Sequence, residues 1–220
     1  MVKEDDAPLT AANTRPITVM PVLYRLWAST RMKELLDWQE QWLSDSITSY
    51  RPGLGCEDAW WEEALKVEKA LLSGEPLCGL SLDFSKAFDR LPQTILLTMA
   101  SEMGMCPQIL RGLSGMYGKL KRRFHIEGHL GQAFASSNGI LQGCPMSVLL
   151  MNMFAEVWMR AVRAEVGPRA SPTGYADDLG LTSAEPGDIR QACHLTGEFA
   201  EITGTRVNAK KTHCWATQQQ

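Results

Sequence analysis

The chain has 220 residues, of which 45% are hydrophobic, and its formal net charge is −3. This composition provides enough apolar residues for a buried core and excludes a wholly disordered protein. The acidic balance by itself argues against a nucleic-acid-binding protein, because such proteins usually show a basic face, but an average net charge can hide a local basic patch.

The cysteines and the apolar runs further restrict the class of protein to which the chain can belong. The six cysteines have no CxxC spacing, which predicts free thiols in a reducing compartment. His125 and His129 lack the partners that a tetrahedral zinc site needs. The amino-terminal residues are polar, with no apolar signal sequence. The longest apolar stretch is too short to span a bilayer and carries Glu156, so we expect a soluble protein without a membrane partner.

The first third of the chain is predicted to be helical after a short lead-in over residues 1–14. Apolar residues near a 3.6-residue period predict a first helix, and the acidic first turn after "SYRPGLG" predicts a second that ends at Gly74. The positions that carry the first pattern are Leu23, Leu26, Trp27, Leu35, Leu36 and Trp42.

The remainder alternates between strand and helix patterns. We predict a buried strand over residues 77–82, one helix over 85–102, a short helix near 106–120 and a hairpin around Gly128. A long apolar helix opening at Pro145, two strands joined at Asp177 and Asp178, a helix from Pro186 to Gly204, and a last strand within 205–217 follow. This order predicts an α+β fold, with helices covering a small antiparallel sheet.

Acidic residues at strand ends are the main chemical signal. Asp177 and Asp178 stand side by side, where a solvated turn is one interpretation and a metal site is the other. Asp83 ends the first buried strand, where it could equally cap the following helix. If the two strands are neighbours, the three carboxylates would supply oxygen ligands for Mg²⁺. A pair of such ions is the usual catalyst of nucleotidyl transfer.

Four stretches resemble motifs A to D of reverse transcriptases, in the same order. They are "LDFSKAFDRLP", "GILQGCPMSVLLMN", "YADDLGLTS" and "GTRVNAKKTHC". The upstream "RPITVMPVLYRLWASTRM" and "SYRPGLGCEDA" resemble the fingers motifs. The residues of these motifs are similar to those of non-LTR (LINE-type) retrotransposons and group II intron enzymes. The resemblance covers residues 15–217 and implies a right-hand polymerase fold with fingers and a palm.

The resemblance implies specific roles in catalysis. Asp83, Asp177 and Asp178 match the catalytic and metal-binding carboxylates, with Asp178 contributing less directly. Lys211 matches a lysine that assists pyrophosphate departure, although the neighbouring Lys210 leaves the register open by one residue. The implied cofactor is a pair of Mg²⁺ ions, with Mn²⁺ as a substitute. The implied partners are an RNA template, a DNA primer and dNTPs.

The resemblance also implies substrate-binding positions. The backbone of Phe84 would lie beside the triphosphate, and Phe88 would exclude a ribose 2′-OH, although its spacing from Phe84 also fits core packing. Gln142 and Gly143 would shape the nucleotide pocket, or "GCP" is simply a turn before a helix. Arg15 would contact triphosphate or template, or is a solvated surface arginine.

A basic run precedes the predicted hairpin. Such a run is often a solvated face, but in this family the hairpin lies near the template, which predicts salt-sensitive phosphate contacts. Its members are Lys119, Lys121, Arg122 and Arg123.

The predicted organisation is fingers over residues 1–75, palm over 76–116, a fingers-side hairpin over 117–139 and palm over 140–217. Because the sequence stops shortly after motif D, we expect a fragment without the helical thumb. The predicted function is an RNA-directed DNA polymerase core. The alternative is a catalytically silent fragment that at most binds nucleic acid. An RNA-dependent RNA polymerase is disfavoured by Phe88. The family implies nuclear or cytoplasmic residence.

Overall fold

The computed structural model describes residues 17–218 in full and residues 2–3 and 14–15 as backbone. The helices are α1 (Val22–Gln39), α2 (Cys56–Ser73), α3 (Ala87–Arg90), α4 (Gln93–Glu102), α5 (Pro107–Gly118), α6 (Ser147–Val166) and α7 (Pro186–Thr203). The strands are β1 (Val2–Lys3), β2 (Thr14–Arg15), β3 (Cys78–Asp83), β4 (Lys121–Arg122), β5 (His125–Ile126), β6 (His129–Leu130), β7 (Phe134–Ala135), β8 (Ser171–Tyr175), β9 (Asp178–Ser183) and β10 (His213–Ala216).

A four-stranded antiparallel sheet forms the centre of the fold, in the order β10-β3-β9-β8. Its two inner strands bury leucines at alternate positions, as the period of a strand requires. In β3 these are Leu80 and Leu82, and in β9 they are Leu179 and Leu181. The predicted α+β fold with a small antiparallel sheet is therefore confirmed, and the sheet brings the two acidic strand ends together.

Helix α6 lies under this sheet and is buried on nearly every side. Its largest side chain, Trp158, is fully buried, and the indole N–H donates a hydrogen bond to the Thr196 hydroxyl of α7 at 3.0 Å. Phe154 contacts both Phe84 and Phe199 at ring-centroid distances of 5.3 and 5.1 Å. The long apolar run seen in the sequence is thus a core helix, consistent with its length.

The first two predicted helices are confirmed as α1 and α2, the second ending before Gly74, whereas the start predicted for the long helix was wrong. Leu23 and Leu26 are exposed, because the buried face of α1 passes instead through Ala28, Met32 and Leu35. Pro145 does not open the long helix in its first turn, since α6 begins two residues later at Ser147.

The helix predicted over residues 85–102 is two helices. Lys86 has a left-handed backbone (φ +52°), one turn of α3 follows, and the chain is extended at Leu91 and Pro92 before α4 begins. Proline has no N–H to donate and disfavours helical geometry in the residue before it, which explains the break.

The predicted hairpin is confirmed, and the last strand lies within its predicted range. β5 and β6 form the predicted hairpin around Gly128, and β4 pairs with β7 beside it. The last strand is shorter than predicted, since β10 occupies only the end of residues 205–217. All six cysteines are free thiols. Over the described part of the chain, no helix is long and apolar enough to cross a membrane.

Candidate active site

A pocket of about 150 Å³ opens at the carboxyl end of β3. Residues from all four sequence motifs line it, although they are widely separated along the chain. The lining residues are Asp83, Phe84, Ser85, Lys86, Ala87, Phe88, Asp89, Gln142, Asp177, Asn208 and Lys211.

The pairing of β3 with β9 explains how the carboxylates meet. Asp83 lies opposite Asp178 in the register, and Ala176 and Asp177 form the turn between β8 and β9. Asp83 and Asp177 line the pocket, whereas Asp178 is exposed and lies outside it. Consecutive residues leaving a turn do not present their side chains to the same space, which explains why only one aspartate of the pair enters the pocket.

The metal-binding role of Asp83, Asp177 and Asp178 stays a prediction. Within residues 17–218, no three His, Cys, Asp or Glu side chains are close enough to hold an ion together. Two carboxylates in one pocket nevertheless fit Mg²⁺, which typically takes one or two protein carboxylates and completes its shell with substrate phosphates and water.

Asp83 is fixed through its backbone on both sides. Its carbonyl accepts a hydrogen bond from Asn208 N–H at 2.8 Å, and its N–H donates to the Thr212 hydroxyl at 3.3 Å. Asp83 lies within β3, and the residue that precedes α3 is Lys86, so the alternative in which Asp83 caps a helix is wrong.

The segment from Asn208 brings one of the two candidate lysines to the pocket. Lys211 N–H donates to Asn208 O at 3.0 Å, and Lys211 lines the pocket. Lys210 is exposed and lies outside the pocket. Of the two lysines, Lys211 is therefore the one placed to meet a ligand there.

The two phenylalanines of motif A occupy different environments. The Phe84 side chain is buried against Phe154, so Phe84 faces the pocket mainly through its backbone. Phe88 is half-buried, packs against the core and also lines the pocket. Phe88 therefore belongs both to the core packing and to the pocket lining, and its role as a gate stays a prediction.

The motif B turn packs closely against the backbone of Thr18. Gln142 lines the pocket, and its Nε2 lies 3.5 Å from Asp89 Oδ2. Gly143 lies outside the pocket with φ +111°, and a Cβ there would come within 2.5 Å of Thr18 O. A glycine is thus required for the close contact with the Thr18 backbone, and the role of Gly143 toward a ligand stays a prediction.

The basic run is only partly available to a ligand. Lys119, Lys121 and Arg123 are exposed. Arg122 is half-buried: its Nη2 donates to Asn138 O at 3.5 Å, and burial lowers the pKa of the guanidinium from its ordinary value. Arg122 therefore belongs to the packing of the hairpin. The side chain of Arg15 lies outside the described residues.

Sequence reasoning missed several residues of the pocket. Asn208 resembled an ordinary turn residue, and its bond to Asp83 O depends on tertiary contact. Lys86 and Asp89 flank Phe88 within motif A, and only the left-handed turn at Lys86 brings them into the lining. The adjacency of Asp89 to the predicted gate residue was the one signal that could have found them.

Comparison with known proteins agrees with this geometry. Residues 2–220 match the family model described as reverse transcriptase (RNA-dependent DNA polymerase). A Xenopus laevis protein of transposon TX1, described as an uncharacterized 149 kDa protein, is 26% identical over 91% of this chain and 16% of its own length. The retrovirus-related Pol polyprotein of the Drosophila melanogaster type-2 retrotransposable element R2DM is 24% identical over 90% of this chain and 19% of its length.

Solved structures show the same fold. A Candida tropicalis telomerase in complex with a fragment of telomeric RNA superimposes with a TM-score of 0.68 over 90% of this chain and 35% of its own, at 13% identity. A Candida albicans telomerase gives a TM-score of 0.63 over 90% of this chain and 35% of its own, at 16% identity. The fold is therefore that of a polymerase fingers and palm.

The chain spans less than a fifth of the length of these two transposon relatives. The family match nevertheless covers nearly all of it, and the motifs that resembled non-LTR elements are the ones that converge in the pocket. The chain belongs to the reverse transcriptase family, and the resemblance to the reverse transcriptase domains of LINE-type retrotransposons is confirmed.

Proposed function

We propose that this chain is the catalytic core of an RNA-directed DNA polymerase that joins dNTPs to a DNA primer on an RNA template. The observation that carries the proposal is the pocket in which Asp83 and Asp177 meet Phe88, Gln142 and Lys211. These residues come from four motifs. Together they bring into one pocket the types of side chain that nucleotidyl transfer requires.

The two carboxylates are the proposed ligands of the catalytic cations. When bound, a pair of Mg²⁺ or Mn²⁺ ions would activate the primer 3′-hydroxyl and offset charge on the phosphate. Asp83 and Asp177 hold their positions through β3 and the β8–β9 turn. Asp178, which is exposed beside them, contributes to the local negative charge and less directly to binding.

The other lining residues orient the nucleotide. Phe88 lines the pocket, where its ring would clash with a ribose 2′-OH and so favour deoxynucleotides. Gln142 provides a polar side chain next to Asp89 on the opposite wall. Lys211 is an exposed ammonium group that can donate a proton to the departing pyrophosphate. Most of the rate enhancement would come from such positioning and charge stabilisation.

The direct test is primer extension on an RNA template with dNTPs and Mg²⁺, with Asp177→Asn as the matched control. Circular dichroism first establishes that both proteins are folded. We expect incorporation by the native chain and a loss of at least about 100-fold in the variant. A folded native chain that incorporates nothing would contradict the proposal and favour the catalytically silent alternative.

Nucleic-acid binding is tested separately from chemistry. The exposed Arg123 is expected to contact phosphate, so Arg123→Ala should weaken binding of an RNA–DNA hybrid and reduce the slope of log K against log salt by about 1. Arg122→Ala is the comparison, because its half-buried side chain is bonded to Asn138 O. We expect Arg122→Ala to lower the unfolding temperature and to change the slope less. Equal slopes for the native chain and Arg123→Ala would exclude this contact.

A further inference from the structure

An irregular segment, residues 44–50, runs beside the outer edge of β8 and is here named the Ser49 loop. Gly174 N–H donates to Ser46 O at 3.0 Å, and Thr48 N–H donates to Gly174 O at 3.3 Å. Ile47 thereby forms a parallel bridge to Gly174. The loop thus pairs with the strand that leads directly into the turn carrying Asp177.

The other side of the Ser49 loop is bonded to α6. The Glu156 carboxylate accepts from Ser44 N–H at 2.9 Å and from the Ser44 hydroxyl at 3.1 Å. One helical turn earlier, Asn152 Nδ2 donates to Ser49 O at 2.8 Å. Asn152 and Glu156 lie on one face of α6 because residues four apart are neighbours on a helix. Both are buried, so these bonds are shielded from competing water.

Ser49 connects Asn152 of α6 to the turn between β8 and β9. Its hydroxyl donates to Asn152 Oδ1 at 2.5 Å and accepts from Ala176 N–H at 2.9 Å. Asn152 Nδ2 also donates to the buried Gln39 Oε1 at 3.0 Å. Every polar atom of the Asn152 side chain is therefore engaged, and the amide cannot rotate without losing bonds.

Ala176 is the residue that needs such support. It is not a glycine, yet its φ is +55°, in the left-handed region that side chains disfavour. Its conformation directs the chain into Asp177, which lines the pocket opposite Asp83. Residues held in this region persist where the surrounding structure enforces them, and they cluster at functional sites.

We infer that Ser49, held by Asn152, is a positioning residue that fixes Ala176 in the left-handed conformation and so places the Asp177 carboxylate for catalysis. The inference rests on the proposed function, because it assigns Ser49 a role toward a carboxylate that the proposed function makes catalytic. Ser49 acts through Ala176 and Asp177 and is not itself a ligand or an acid.

The test compares Ser49→Ala with Thr48→Val in the full chain. Thr48 is the adjacent buried residue, and its hydroxyl has no hydrogen-bond partner within the described residues, so Thr48→Val removes a neighbouring hydroxyl without removing a bond. Three quantities are measured for each variant: exchange of the Ala176 amide by NMR, Mn²⁺ affinity by electron paramagnetic resonance, and kcat and KM for dNTP.

We expect Ser49→Ala to speed Ala176 exchange, and to lower Mn²⁺ affinity and kcat by about 10- to 100-fold, as changes behind a metal ligand do. KM for dNTP should change much less, because the groups that orient the nucleotide are untouched. Thr48→Val should match the native chain in all three. If Ser49→Ala does not fold, Ser49→Cys, whose sulfur is a weak acceptor, should give a smaller loss of the same kind.

The outcomes separate this inference from the proposed function. A native chain that neither binds Mn²⁺ nor extends a primer overturns the proposed function, and the positioning role falls with it. A native chain that does both, with a folded Ser49→Ala that retains native amide exchange, Mn²⁺ affinity and kcat, overturns the positioning role and leaves the proposed function intact.

Discussion

The two carboxylates of the pocket are held in contrasting ways. Asp83 ends β3, where it pairs with Asp178 of β9, and its own backbone bonds to Asn208 N–H and to the Thr212 hydroxyl. Asp177 lies in a turn after a strained residue, and its placement depends on the Ser49 loop and on side chains of α6. A carboxylate at the end of a strand is thus held by bonds to its own backbone, whereas a carboxylate in a turn depends on a buried polar network behind its neighbour.

Replacing the acidic residues in and beside the pocket is expected to give the largest differences in activity. Asp83→Asn should reduce primer extension by at least about 100-fold, because Asp83 lines the pocket. Asp178→Asn removes the same charge from a residue outside the pocket and should cost far less. Single-nucleotide incorporation measured for both variants, at matched folded fraction, checks this. Equal losses would mean that Asp178 also faces the reacting groups.

Removing the hydroxyl behind each carboxylate sharpens the contrast. The Thr212 hydroxyl accepts a hydrogen bond from Asp83 N–H, as the Ser49 hydroxyl accepts one from Ala176 N–H in the turn. When the Thr212 hydroxyl is removed, Asp83 keeps its strand pairing and its bond from Asn208 N–H. Thr212→Val should therefore lower kcat by less than about tenfold, the effect of one ordinary hydrogen bond. Ser49→Ala measured in parallel should cost more. A larger effect of Thr212→Val would reverse the proposed order.

The far end of β9 offers a test of stability against pH. The buried Asp188 carboxylate accepts hydrogen bonds from Arg169 at 2.9 Å and from the Ser183 hydroxyl at 2.7 Å, and the Arg169 guanidinium above all lowers its pKa. Because the folded pKa lies below the unfolded value of about 3.9, this stabilisation is present above about pH 4 and is lost as the pH falls through the folded pKa.

The corresponding measurement is the urea midpoint at pH 7 and at pH 3. Asp188→Asn should lower the midpoint at pH 7 and make it less dependent on acid than in the native chain. Primer extension at neutral pH should change little, since this end of β9 is remote from the turn. An unchanged acid dependence would show that Asp188 is not the group that titrates.

The smallest expected effect concerns Thr48 in the Ser49 loop. Its buried hydroxyl has no partner in the described part of the chain, and an unsatisfied buried hydroxyl destabilises a protein. Thr48→Val should raise the free energy of unfolding by up to about 1 kcal/mol without changing kcat. Urea denaturation measures the first quantity and primer extension the second. A destabilised Thr48→Val would indicate that the hydroxyl has a partner after all.

The same contrast explains what the sequence could predict. The apolar run before Asp83 and the strand-like flanks of Asp177 and Asp178 predicted the strands of the sheet, because such patterns are local properties of the sequence. The resemblance predicted most residues of the pocket for the same reason, since its motifs are contiguous. The Ser49 loop has neither period nor motif. Ser49 and Asn152 are far apart in sequence, and their bond to the turn exists only once α6 and β8 are packed.

Packing also adds contacts that local pattern does not specify. Gly143 was expected to allow a close approach of the backbone to nucleic acid, and the close approach that the structure shows is with Thr18. Leu23 and Leu26 matched a helical period, yet the buried face of α1 is elsewhere. In each case the residue type was informative, and the identity of its neighbour was not encoded locally.

Helix α6 supports both halves of the pocket, because Asn152 contacts the Ser49 loop and Phe154, two residues later, packs against Phe84 beside Asp83. The two carboxylates therefore share one foundation. A displacement of this helix along its axis would carry both supports in the same direction, so the separation between the carboxylates would change less than the position of either. A substitution that shifts α6 is therefore expected to move the two carboxylates together.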